Sequence, residues 1–290
     1  MRLSLLVFSF LLLVGRAWTQ PAPCPDGAVL HCSAADSAEV VRLLRLAAAL
    51  PDSVCRPLFF ARQFVGRPYV GGTLDRPGRE RLVVRLQGFD CTTLVETVAA
   101  LTLADRYGQR SLAGFAEQLR RLRYEEGRVD YVARQHYFSW WIDGNARRGV
   151  IEEIAPPDCF TGRQRLHLDY MSRHPGQYAA LRHNPGRTDS IRRREVPWRG
   201  RTVRFLPSAA LAADSLLRGT VRDGDILATV SRRPGLDVNH VGLAVWGRDG
   251  RLHLLNASSL RHRVVEERWT LAEYLRRQKS VAGLRVVRLR

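Results

Sequence analysis

Apolar residues recur at helical spacing in the first part of the chain and alternate with polar or small ones near its end. Residues 38–50 form an amphipathic pattern that predicts a helix, and residues 57–64 predict a second, shorter one. Residues 82–86 favour a short strand. Asp90 is a good N-cap for an apolar pattern that begins directly after it, so Cys91 is predicted to lie in the first turn of a helix.

The last third of the sequence has the pattern of antiparallel strands. The apolar run 226–230 follows a turn, and residues 240–246 and 252–259 flank the turn 247–250 as the arms of a hairpin do. Residues 284–289 predict a final strand. Helices early in the chain and strands late in it indicate an α+β fold with an antiparallel sheet.

Three segments are expected along the 290 residues. Residues 1–19 are predicted to be a signal peptide, and residues 20–56 an irregular N-terminal segment followed by a helix. Residues 57–290 form the predicted catalytic domain, within which residues 105–220 are expected to be a long insertion, mainly helical or irregular.

The N-terminus has the organisation of a secretory signal. Arg2 precedes an apolar run over residues 3–14, and small residues before Gln20 suit cleavage there. The alternative is a membrane anchor, but the run is short for the roughly 30 Å of a bilayer core. We therefore expect an exported protein, secreted and periplasmic, with no stable membrane span after cleavage.

The net charge is +18, from 46 Lys and Arg against 28 Asp and Glu. Such a charge suits nucleic acid or another anionic polymer as a partner. Lys279 is the only lysine, however, and arginine is spread along the whole chain rather than gathered in one stripe. The composition of a G+C-rich genome would produce the same bias, so charge as function and charge as codon usage both remain open.

Five cysteines leave at least one thiol unpaired in an exported protein. The pairing of Cys24, Cys32, Cys55 and Cys159 cannot be read from their spacing, although Cys24 and Cys32 could close a small loop. No C-x-x-C pair is present, so we expect no structural zinc site. No other metal site is visible in the sequence, and no cofactor is expected.

Cys91 is the strongest candidate for chemistry. A helix N-terminus favours the thiolate, and the same N–H groups can stabilise an oxyanion. The alternatives are a buried structural cysteine and half of a disulfide.

A cysteine nucleophile needs a base, and His240 opens an otherwise apolar strand. In a hairpin that pairs His240 with Asn256, both side chains face one side, and the amide could orient the imidazole. His253 competes with Asn256 for this role, but it lies nearer the turn.

Several motifs together resemble the NlpC-type papain-like cell-wall hydrolases. They are the loop of residues 66–72 (GRPYVGG), Asp90-Cys91 and His240-Val241-Gly242. The branch of exported N-acetylmuramoyl-L-alanine amidase-like proteins is more similar still. Its motifs correspond to residues 89–96 (FDCTTLVE), 134–141 (RQHYFSWW) and 257–259 (ASS), although that branch often has histidine at the position of Asn256.

The resemblance implies a papain-like NlpC-type fold, in which the nucleophile begins a helix packed on an antiparallel sheet. It assigns Cys91, His240 and Asn256 to catalysis. Substrate binding falls to four further residues, Tyr69, Asp90, Arg134 and His136. Arginine can hold a carboxylate with two parallel hydrogen bonds, and muropeptides carry carboxylates. More weakly, Met171, His174 and Tyr178 are expected to line the same pocket.

The resemblance implies hydrolysis of an amide in peptidoglycan or its muropeptide fragments, with the bond between N-acetylmuramate and L-alanine favoured. The alternative bond joins D-γ-glutamate to the third stem residue. A non-catalytic wall-binding protein and a basic nucleic-acid binder are the alternatives outside enzymes. An export signal argues against a genomic target, so no nucleic-acid partner is expected.

Overall fold

The computed structural model describes residues 30–76, 78–212 and 217–290. The predicted signal peptide and Cys24 lie outside these residues. Cys32, Cys55, Cys91 and Cys159 form no disulfide with one another. No helix in the described ranges has the length and apolar character that a bilayer crossing requires.

Helices build the first layer of the fold. α1 (Ala34–Ala48) begins at Ser33, whose hydroxyl accepts a hydrogen bond from the N–H of Asp36. A short parallel pair, β1 (Leu30–Cys32) with β2 (Leu82–Val84), lies beside the helices. The remaining members are α2 (Arg56–Arg62), α3 (Cys91–Arg106) and α4 (Leu112–Arg123).

The second layer is an antiparallel sheet. In the described part of the chain its order begins with β4 (Gly162–Arg165) and β5 (Thr202–Pro207) and continues through β10 (Val281–Leu289), β6 (Ile226–Ser231), β7 (Val238–Trp246), β8 (Leu252–Ser258) and β9 (Arg263–Glu266). A further strand, β3 (Ile151–Ile154), also pairs with β10. The short helix α8 (Leu271–Arg276) precedes β10. The α+β prediction is therefore confirmed.

Residues 105–220, the predicted insertion, contribute strands to the main sheet. The elements of this segment are α5 (Phe138–Arg147), β3 (Ile151–Ile154), β4 (Gly162–Arg165), α6 (Tyr170–Arg173), α7 (Pro185–Glu195) and β5 (Thr202–Pro207). Both β3 and β5 form ladders with β10. The sequence predicted a mainly helical or irregular segment because β3 and β4 have only four residues each and none of the three strands alternates apolar with polar residues over a long run. The strand that β3 and β5 pair with, β10, is also distant in sequence.

The β7–β8 hairpin forms, but its register differs from the predicted one. The pairs run from Trp246 with Leu252 to Leu243 with Leu255. In this register Asn256 lies level with Gly242 rather than with His240. A shift of two residues leaves side chains on their original face, because strand side chains alternate with a period of two. Asn256 and His240 therefore still share one side of the sheet.

α3 is the central helix of the core. It packs against α1, α2 and α4 and lies on β7 and β8. Every side chain from Thr93 to Asp105 is buried, so the helix is enclosed on all sides after its first turn. Its N-terminus, where Cys91 and Thr92 are half-buried, lies beside the start of β7. This packing fixes the position of Cys91 relative to His240.

A buried ion pair joins α3 to α4. The Nε of Arg123 donates to Glu96 at 2.7 Å, and its Nη1 donates to the carbonyl of Val83 in β2 at 2.8 Å. Both charged side chains are almost wholly buried. Burying each charge alone is costly, so each depends on the other to remain in the core.

Replacing Glu96 with alanine leaves the Arg123 guanidinium buried without its carboxylate. We expect the free energy of unfolding to fall by about 3–5 kcal/mol. Denaturant titration measures it. Glu152→Ala, which removes the partner of the surface residue Arg290, is the matched control and should change stability by less than about 1 kcal/mol. Equal effects of the two substitutions would contradict this assignment.

Candidate active site

The N-terminus of α3 presents Cys91 at the first helical position. Asp90 caps the helix: its Oδ1 accepts from the N–H of Thr93 at 2.7 Å, and the Thr93 hydroxyl accepts from the N–H of Asp90 at 3.0 Å. This reciprocal pair is a capping box. It fixes the first turn, in which the unpaired N–H groups and the helix dipole favour a negative charge.

His240, the third residue of β7, lines the same cavity as Cys91, and its imidazole lies close enough to the thiol for the two groups to shift each other's pKa. Burial by itself would raise the pKa of Cys91, but the charge and hydrogen bond of His240 outweigh it, so the pKa is lowered. Burial would likewise lower the pKa of His240, and Cys91 and Asn256 together raise it. The two shifts favour a thiolate–imidazolium pair.

Asn256 holds the other side of the imidazole. The Nε2 of His240 lies 3.0 Å from Asn256 Oδ1, which leaves Nδ1 for the thiol. Gly242 lies on β7 opposite Asn256 of β8. A Cβ added at Gly242 would lie 2.8 Å from the Leu255 carbonyl and 3.0 Å from the Cβ of Asn256. The absence of a side chain at 242 lets β8 approach closely enough for Asn256 to reach His240.

Behind Asn256 lies a carboxylate that the sequence did not reveal. The Nδ2 of Asn256 donates to Oε1 of the buried Glu267 at 3.5 Å. Because the amide can donate only through its nitrogen, this contact directs its oxygen toward His240. Glu267 also contributes to the raised pKa of His240. His253, the competing orienter, contacts Asp249 instead.

A cavity of about 160 Å³ opens over Cys91. Its wall includes the α3 N-terminus, the segment before α5 and the start of β7. Among the residues predicted for this pocket, His136, Met171 and Tyr178 line it, whereas His174 is exposed and stacks on Tyr170. The full lining consists of Cys91, Thr92, Gln135, His136, Tyr137, Phe138, Met171, Tyr178, Leu236, Asp237, Val238, Asn239, His240 and Val241.

Tyr69 lies beside the nucleophile. Its backbone N–H donates to the carbonyl of His262, and its own loop bridges to Phe89, one residue before Asp90. Burial, followed by the charges of Cys91 and Asp90, raises the pKa of Tyr69. The phenol therefore keeps its proton at neutral pH and can donate a hydrogen bond. Asp90 itself is engaged as the helix cap.

Arg134 is not brought to the cavity. Its Nη1 donates to Glu80 at 2.9 Å and to the carbonyl of Leu74 at 2.6 Å. The guanidinium also lies 4.8 Å from the ring centroid of Tyr131. Because these partners occupy the buried side chain, Arg134 ties the segment leading to the cavity to the 74–80 loop. Its position gives no support to direct contact with a substrate carboxylate.

His136 lines the cavity in its neutral form. Burial and the nearby charge of Arg134 place its pKa well below the ordinary value. Its Nε2 donates to the carbonyl of Tyr131 at 2.7 Å, so Nδ1 is an acceptor. Such an acceptor suits a hydroxyl or amide N–H of a bound molecule.

Asp237 is a second carboxylate that sequence reasoning missed. It lines the Cys91 cavity, and its Oδ2 accepts from the N–H of Ser139 in the first turn of α5 at 2.5 Å. A turn-forming L-D-V sequence gave no signal of this role. Within residues 30–76, 78–212 and 217–290, no group of three or more His, Cys, Asp or Glu residues could hold a metal ion.

The sequence and fold both match known proteins. A family model described as AmiA-like, N-acetylmuramoyl-L-alanine amidase-like, matches residues 59–283. This match spans most of the sequence, so the chain belongs to that amidase-like family. No curated protein matches the sequence.

Solved structures agree with this family. A Bacteroides uniformis protein named as an N-acetylmuramoyl-L-alanine amidase is 35% identical, with a TM-score of 0.76, over 81% of this chain and 97% of the other. A Bacteroides fragilis protein is 37% identical, with a TM-score of 0.74, over 79% and 99%, and is named as a candidate xylanase. A Legionella pneumophila protein shares the fold at 21% identity, with a TM-score of 0.64, over 87% and 94%.

The coupling of Cys91 to His240 predicts a pH profile for thiol alkylation. Wild-type Cys91 should react with iodoacetamide with a midpoint below the ordinary thiol pKa of about 8.5. In His240→Ala the burial of the thiol remains without its cation, so the midpoint should move above that value. Cys32, whose pKa is raised to about 11 by burial and by Asp36, serves as an internal reference. An unchanged pH midpoint for the alkylation of Cys91 in His240→Ala would contradict the coupling of the two side chains.

Glu267 predicts a positioning effect. Glu267→Gln allows the facing amides of residues 256 and 267 to reverse their donors and acceptors, which weakens the hold on His240. We expect kcat to fall about tenfold, the scale of one hydrogen bond, with KM little changed. Glu266→Gln, a neighbour paired with Arg62 at the surface, is the control and should keep full activity. A loss confined to KM would contradict a role through His240.

Proposed function

We propose that this chain is an exported cysteine amidase that cleaves the bond between N-acetylmuramate and L-alanine in peptidoglycan fragments. The observation that carries the proposal is the contact of Cys91, at a helix N-terminus, with a His240 held by Asn256. Membership of the amidase-like family supports the choice of this amide bond. The arrangement of a cysteine beside a histidine base is suited to amide hydrolysis.

In the first half of the proposed reaction, the Cys91 thiolate attacks the lactyl carbonyl of the muramoyl group. The N–H groups of the first turn of α3 and the Tyr69 hydroxyl supply donors for the oxyanion. The protonated His240 then gives its proton to the nitrogen of L-alanine. The C–N bond breaks, and the peptide leaves with a free amino group while the muramoyl group stays on sulfur as a thioester.

The second half restores the enzyme. His240, now neutral, takes a proton from a water molecule, whose oxygen attacks the thioester carbonyl. The C–S bond breaks, the muramic acid leaves and loses its carboxyl proton to water, and the thiolate–imidazolium pair forms again. Asn256 holds the ring in both steps. Arg134 is proposed to act indirectly, by fixing the segment that carries His136.

Glycoside hydrolysis, which the name of the Bacteroides fragilis neighbour would imply, is less compatible with the site. Most glycosidases need two carboxyl groups on opposite sides of the bond they cleave. In the described part of the chain, Asp237 is the only carboxylate that lines the Cys91 cavity, and it is engaged with the N–H of Ser139. A cysteine–histidine pair has no place in that mechanism.

The test is the product mass after incubation with an N-acetylmuramoyl tripeptide. We expect N-acetylmuramate and the intact tripeptide. Release of the third residue alone would show instead that the D-γ-glutamyl bond is the target. Absence of cleavage in every muropeptide, together with retained binding, would identify a wall-binding protein.

Replacement of the nucleophile is the second half of this test. Cys91→Ala should lower kcat by about 10³-fold or more. Cys32→Ala, which removes a thiol outside the site, should leave the rate unchanged. If Cys91→Ala continues to cleave at the wild-type rate, the proposed nucleophile is wrong.

A further inference from the structure

A second and larger cavity adjoins the one over Cys91. It has a volume of about 440 Å³ and lies between the start of β7, the segment after β8 and α8. His240 lines both cavities, whereas Cys91 lines only the smaller one. The shared wall consists of Tyr178, Leu236, Val238, Asn239 and His240. A substrate bound between Cys91 and His240 can therefore extend past His240 into the larger cavity.

The larger cavity carries a cation that has no ion-pair partner in the described part of the chain. Arg233 lies on its wall, in the turn between β6 and β7, and is exposed. Its backbone N–H donates to the hydroxyl of Ser231 at 2.9 Å, which fixes the turn. No carboxylate of the described residues pairs with its guanidinium, in contrast to Arg123 and Arg134, which are buried against glutamates.

The two cavities differ in the sign of their charge. The smaller one contains the carboxylate of Asp237, and the larger one contains the guanidinium of Arg233. Like charges repel and opposite charges attract at short range, which selects between ligand groups of different charge. A negatively charged group is therefore disfavoured beside Asp237 and favoured beside Arg233.

The substrate has a matching asymmetry. In a muramoyl peptide the lactyl carboxyl is consumed in the bond to L-alanine, and the N-acetylated sugar is neutral. The free carboxylates lie on the peptide, which begins at the nitrogen that receives a proton from His240. A cavity that touches His240 and not Cys91 is placed for this leaving half.

Building on the proposed function, we propose that the larger cavity binds the carboxylate-bearing stem peptide, with Arg233 as its anion anchor. Arginine offers parallel N–H donors that match a carboxylate. Asn239 supplies a second contact: its Nδ2 donates to the carbonyl of Ser280 at 2.8 Å. That contact leaves the Asn239 Oδ1 as an acceptor for a peptide N–H.

The experiment combines a change in the protein with a change in the ligand. Wild type and Arg233→Gln are compared on N-acetylmuramoyl-L-alanyl-D-glutamate and on the same compound with both carboxyls amidated. We expect the variant to lower kcat/KM for the diacid about tenfold, the scale of a charged hydrogen bond. For the diamide it should change by less than about twofold, because the interaction is already absent.

Arg248→Gln is the control, since it removes the same charge in the turn at the far end of β7. It should not distinguish the two compounds. Equal losses on diacid and diamide in Arg233→Gln, or no loss on either, would overturn the proposal.

Binding separates this proposal from the proposed reaction. The affinity of both compounds is measured for Cys91→Ala with and without Arg233→Gln. A diacid-specific loss of affinity supports the anchor even if wild type cleaves neither compound, in which case the proposed function alone fails. Equal affinities in the two proteins would refute the anchor whatever the rate of cleavage.

Discussion

The contact between Cys91 and His240 joins two parts of the fold that are built separately. Cys91 begins α3, the central helix of the helical layer, and His240 is the third residue of β7 in the antiparallel sheet. The packing of α3 on β7 brings them together. Since burial would separate their charges from water at a cost, the pair is stable as ions only while this packing holds.

The residues around Cys91 and His240 each hold one member of the pair in position. The capping box of Asp90 and Thr93 fixes the turn that carries the sulfur, and the Asn256 amide fixes the ring of His240. Glu267 in turn directs the amide. The arginines that give the chain its positive charge also differ in their local surroundings. Buried arginines such as Arg123 pair with glutamates, whereas Arg233 lines a cavity.

Local sequence signals predicted much of this arrangement. Asp90 before an apolar helical pattern located Cys91 at the first helical turn, and the alternating hairpin placed His240 and Asn256 on one face. The two-residue error in register did not change that face, because both registers have the same parity. The assignment of Cys91, His240 and Asn256 to catalysis stays a prediction.

Contacts between segments that are far apart in the sequence could not be predicted from local sequence patterns. Glu80 pairs with Arg134 across 54 positions, and no local pattern indicates which acid will meet which arginine. The same holds for Glu267, whose sequence surroundings resemble any polar strand end. β3 and β5 were missed because a strand without a clear alternating pattern is recognisable only when its partner, here β10, is known.

The proposed mechanism requires acyl transfer to pass through the sulfur of Cys91. Mass spectrometry of enzyme quenched in acid during turnover of N-acetylmuramoyl-L-alanyl-D-glutamate detects such an intermediate. We expect a muramoyl group, bound as a thioester, on the proteolytic fragment that contains Cys91. A muramoyl group on another residue, or steady turnover at saturating substrate with no acylated enzyme at any quench time, would contradict it.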